Sequence, residues 1–109
     1  MYYDKKGQKI NLETWHALLM EPNYKFIKVT EVANVKVSTV WLGLDHGFYE
    51  KHPIIFETMT FPGNDCERYC SLEEAIIGHE KMVEQVKQEI TEKKGILEAT
   101  KSYRDENKE

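Results

Sequence analysis

The chain is 109 residues long, 31% charged, with a net charge of −4. That is enough for one soluble domain, and its slightly acidic balance lacks the basic footprint of direct nucleic-acid binding. No apolar run reaches the ~20 residues of a membrane-spanning helix, and MYYDKKGQKI lacks the apolar core of a signal peptide. We therefore expect a cytosolic protein in which Cys66 and Cys70 are reduced thiols.

Tyr2-Tyr3-Asp4, Lys5-Lys6-Gly7 and Gln8-Lys9-Ile10 read as a short hairpin, with Gly7 supplying positive φ in the turn. Asn11 is a good N-cap, and Leu12, Trp15, Leu18 and Leu19 follow at helical spacing until Pro22 and Asn23 end the helix near Met20. Tyr24 to Val32 alternates as a strand, with Lys25, Ile27, Val29 and Glu31 on a less buried face. Ala33-Asn34 makes a tight connection, with Asn34 the residue suited to the left-handed region.

Val35 to Phe61 holds the middle of the chain. Val35, Val37, Thr39 and Trp41 share one parity of a strand, and Pro53 to Phe61 returns as another. Between them lies a polar loop carrying Asp45, His46, Glu50, Lys51 and His52. Pro62-Gly63-Asn64-Asp65 is a strong turn, and Cys66 to Cys70 is a fourth, short strand. Short connections favour an antiparallel meander.

Ser71-Leu72-Glu73-Glu74 is a capping box opening a long helix. Leu72, Ile76, His79, Val83, Val86, Ile90, Lys93 and Leu97 recur at three- and four-residue steps, with Ala75 and Met82 widening the stripe. A helix reaching Thr100 is about 45 Å long at ~1.5 Å per residue, against a sheet platform of only ~20 Å. The expected fold is α+β: an antiparallel sheet of three to four strands packed by a short N-terminal helix and the first half of a long C-terminal helix. Residues 1–101 form the domain, and 102–109 read as a disordered charged tail. The seam Val83, Val86, Ile90 and Leu97 is expected to run past the sheet and pair in a homodimer.

Four groups are candidates for chemistry. Asp45 beside His46, with His52, can orient or activate an imidazole if the loop turns there; a plain polar hairpin loop is the commoner outcome. Cys66, Cys70 and His79 are zinc-type ligands at a spacing that does not suit zinc. His79 sits on the apolar seam, where a histidine is more often hydrogen-bonded structure than a catalyst. Arg68 and Tyr69, beside Asn64 and Asp65, make a clamp for a phosphate or a planar ring, against the favoured alternative of a surface ion pair and a core tyrosine. No phosphate loop, nucleophile elbow, HExxH or dinucleotide fingerprint is present, and no cofactor is expected.

The segments YYDKKGQKINLETW, VSTVWLGLDHGF, PIIFETMTF and CERYCSLEEAIIGHEKMV resemble, in that order, small uncharacterised proteins of tailed bacteriophages and prophages. The resemblance covers residues 2 to 85 and is most specific at VSTVWLGLDH, IFETM and Gly78-His79-Glu80. It departs in Phe48 to His52, charged here and often glycine- and proline-rich in that group. It implies a phage accessory origin in the host cytosol and singles out Asp45, His46, Glu57 and His79. From it we expect a non-enzymatic module that antagonises a host defence by binding a host protein or a small signal nucleotide. The alternatives are a small metal-assisted hydrolase using Asp45, His46 and His79, and a virion or assembly component joined through the long helix.

Overall fold

The computed structural model describes residues 1–45 and 53–106, with side chains described as far as residue 94. Its elements are β1 (Tyr2–Tyr3), β2 (Lys9–Ile10), α1 (Leu12–Leu19), α2 (Pro22–Lys25), β3 (Phe26–Val32), β4 (Val35–Trp41), β5 (Phe56–Phe61), β6 (Cys66–Tyr69) and α3 (Leu72–Glu106). β3-β4-β5-β6 form one four-stranded antiparallel meander, and β1-β2 a separate hairpin. The fold is the expected α+β class.

Local chemistry accounts for most boundaries. The Asp4 carboxylate accepts from the amides of Lys6 and Gln8, and Gly7 takes a φ of 81°, so β1 reverses tightly into β2. The Asn11 side chain accepts from the Thr14 amide at 2.8 Å and starts α1, which ends at Met20. The Ser71 hydroxyl accepts from the Glu74 amide at 3.2 Å and starts α3. Pro22 opens α2, a single turn that replaces the expected start of the strand at Tyr24. In the β3–β4 turn the positive φ (54°) falls on Ala33 rather than Asn34, the first of the two residues between the paired Val32 and Val35.

β3 carries a bulge between Phe26 and Lys28. Without it, strict alternation would point Lys28 and Phe26 to the same side. With it, Phe26 pairs with Val40 on one face, while Lys28 and Thr30 turn with Thr39 and Val37 to the other. That second face carries α3, which packs against all four strands.

Between sheet and helix lie two apolar clusters. Trp41, Phe56, Ile55, Tyr3 and Ala75 form the first, closed by Trp15, Leu18 and Leu19 of α1 with Tyr24 and Tyr69. Val37, Met82, Val83 and Val86 form the second, flanked by Val32, Val35 and Ile90. This corrects the expected dimer seam. Val83 and Val86 are buried within their own domain, and Ile90 is partly so. The physical reason is length: Ala75 to Ile90 spans about 22 Å at ~1.5 Å per residue, which a seven-residue strand of about 23 Å can cover. Leu97 lies outside the residues with described side chains. The helix runs on to Glu106, through the stretch from Ser102 that composition reads as a disordered tail.

Candidate functional site

The most constrained polar group is His79, fully buried on the inner face of α3. Its Nε2 lies 2.8 Å from the Thr30 hydroxyl on β3, and its Nδ1 lies 2.7 Å from the Thr39 hydroxyl on β4. Thr39 lies 2.5 Å from the hydroxyl of Thr58 on β5. Four side chains on four elements thus form one chain of hydrogen bonds between the two apolar clusters. A neutral imidazole has one donor and one acceptor nitrogen, and a hydroxyl can play either part, so each tautomer can be satisfied. Among the described residues no buried side-chain nitrogen or oxygen lacks a partner.

Burial pushes the His79 pKa below the ordinary imidazole value; Glu80 pulls it up and Lys28 pulls it down. Glu80 itself pairs with Lys28 at the surface, and that hydrogen bond holds its carboxyl below the usual range. Neutral His79 has the electronic character of a general base. Its position denies it a substrate, because both nitrogens are occupied by threonine hydroxyls inside a packed layer.

A second group lies on the opposite sheet face. Arg68 Nε donates to Glu57 Oε2 at 3.0 Å across the β5–β6 pair. Glu57 is the less exposed partner, with its side chain at 14%. Cys66 shares this surface, and its thiol pKa is raised by desolvation and by Glu57, with Arg68 opposing.

These geometries separate the expected site residues. Arg68 and Tyr69 make no clamp: neighbours on a strand face opposite ways, so Arg68 joins Glu57 while Tyr69 turns to α3. There the Tyr69 ring lies so close to Gly78 that a Cβ on that residue would stand 2.2 Å from it. Cys66 and His79 likewise lie on opposite sides of the sheet. Among the described residues no three His, Cys, Asp or Glu side chains are grouped to hold a metal ion.

Asp45 lies past the end of β4, where its carboxylate accepts from the Ile54 amide at 3.3 Å. The Trp41 layer intervenes along β4 between it and the Thr39 contact of His79. Asp45 and His79 therefore do not meet in one site. His46 and His52 lie outside the described residues.

Sequence reasoning missed Thr30, Thr39 and Thr58. A signal for them existed: Thr39 shares strand parity with Trp41, and Thr58 with Phe56, and a hydroxyl on a buried face needs a partner. Alternation already sets Thr30 on the more covered face of its strand, opposite to Val29 and Glu31; what the bulge hid is that Phe26 turns away from that face. Compared with protein-family models, with curated proteins and with solved structures, the chain matches none.

Proposed function

We propose that this protein is a non-enzymatic binding module of the phage accessory kind, which antagonises a host process by holding a host protein on the open face of its sheet. The observation that carries this reading is the apolar character of that face. Phe26, Val29 and Phe61 are each close to half exposed there, around partly buried Val40 and Met59. An apolar surface of this kind on a charged chain is the usual mark of a protein contact. The middle of the sheet side facing α3 is, by contrast, buried at Val37, Thr39, Trp41, Phe56 and Thr58.

Protein is favoured over a signal nucleotide by the charges. Phosphate recognition needs cations free to fork onto oxygens. On this face Arg68 is already engaged by Glu57, and Lys36 stands across the strand pair from Glu31. The resemblance of residues 2 to 85 to small phage proteins supports a host setting. The closed environment of His79 argues against the hydrolase alternative that relied on it.

The test is capture from bacterial lysate by the tagged chain, beside Val29→Glu and Phe61→Glu variants whose melting is unchanged. A specific partner held by the parent and lost by both variants is expected. A partner held equally by all three, or one displaced by nucleotides, would overturn the assignment.

A further inference from the structure

Among the described residues β6 ends the sheet, and one of its sides has no strand neighbour there. The amide of Thr60 donates to the carbonyl of Asp65, which sets the phase of the β5–β6 ladder. Antiparallel pairing alternates, so Glu67 and Tyr69 bond inward to β5 while the backbone groups of Cys66 and Arg68 point away from the sheet. Beside this edge runs one flank of α3. Together they bound a groove of about 450 Å³ lined by Glu67, Tyr69, Ile77, Gly78, Lys81 and Met82, among others. Ile77 is 51% exposed there, although it lies on the same helix as the buried seam.

The flank has an internal symmetry. Glu74 and Lys81 stand two turns apart on one side of α3, with Ile77 and Gly78 midway between them. A two-fold axis through that midpoint brings Glu74 opposite Lys81 of the partner subunit, and Lys81 opposite Glu74 of the partner subunit. The exposed Ile77 side chains then meet each other across the axis, while Gly78 lies covered by the Tyr69 ring of its own chain. Isologous association needs a surface complementary to itself. A uniformly charged flank would repel its copy.

We propose that a second copy of this chain docks here, with the α3 flanks antiparallel and the β6 edges side by side. This surface is distinct from the Val83–Val86 seam, which the domain uses internally, and from the open sheet face. The inference is independent of the proposed host contact, since it concerns only copies of the chain.

Sedimentation equilibrium on the full chain at tens of micromolar should show a dimer. Glu74→Lys and Lys81→Glu should each weaken association by about tenfold or more, because one substitution places like charges together twice across the axis. The double variant Glu74→Lys/Lys81→Glu restores opposite charges and should dimerise again. In the parent, the Cys66 and Arg68 amides should exchange more slowly as concentration rises. A monomeric parent, a double variant as weak as the single ones, or amide exchange independent of concentration would overturn the proposal.

Discussion

The two ends of the sheet–helix interface are built by different means. At the Trp41 end the core is aromatic and assembled from far-apart pieces: the β1–β2 hairpin, α1, α2, β4, β5 and the start of α3 all contribute. Trp15 donates to the Leu42 carbonyl and Trp41 to the Tyr3 carbonyl, so the partly buried and the fully buried indole are both anchored. At the Val37 end the core is aliphatic, and only the sheet and α3 take part. The Thr30–His79–Thr39–Thr58 chain divides them. The aromatic end thus holds the topology together, while the aliphatic end only fastens one helix to one sheet.

That contrast can be broken by substitution. Trp41→Ala should cost about 3–5 kcal/mol, the scale for deleting a large core aromatic, and should loosen the N-terminal elements along with the sheet. Val86→Ala at the other end should cost only about 1.5–2.5 kcal/mol, from the methyl groups it removes. Chemical denaturation of both variants measures the difference; equal losses would mean the two ends are not built unequally.

The dividing layer sharpens the same contrast. His79→Ala should cost about 2–4 kcal/mol, from a cavity plus hydroxyls left without a partner. Its titration gives a second reading. The folded pKa is depressed, so below the unfolded imidazole value of about 6.5 the unfolded chain binds a proton that the folded one does not. The stabilisation from neutral His79 is therefore fully present above that pH and is lost as pH falls toward the folded pKa. Lys28 and Glu80, the charged neighbours, pull in opposite senses. Melting temperature from pH 7 downward should fall more steeply in the parent than in His79→Gln; parallel curves would remove the linkage.

The smallest expected effect is at the start of α3, on the aromatic side. Ser71→Ala should cost about 1 kcal/mol through loss of the cap to the Glu74 amide. Unchanged stability would show that packing of Leu72 and Ala75 alone fixes where the helix begins.

What could be read from the sequence follows the range of the forces involved. Asn11 and Ser71 cap the helices named for them because a cap is settled within four residues. The meander was legible because its turns are short and its strands alternate. The bulge was not, since Phe26-Ile27-Lys28 contains no glycine or other break in composition to mark the extra residue. From that one displacement came the outward turn of Phe26, which alternation groups with Lys28 and Thr30. The seam was misjudged for another reason: helical spacing shows which side of α3 is apolar, but not which partner covers it. Arg68 and Tyr69, and Cys66 and His79, were grouped although they lie on opposite faces, because faces of a sheet are assigned by register rather than by proximity in the chain.

The buried histidine also behaves as a key. An apolar helix on an apolar sheet can slide by a turn, about 5.4 Å, with little change in the kind of surface it meets. Here such a slip would seat Ala75 or Val83 over the hydroxyls of Thr30 and Thr39 and carry the imidazole into hydrocarbon. Each misplaced polar group costs roughly 1–3 kcal/mol when stranded. Oily contacts supply the adhesion, whereas one ring fitted between two hydroxyls decides the alignment. Replacing the four polar side chains together with hydrocarbon of matched shape should then leave a helix that still adheres but no longer has a single place to sit.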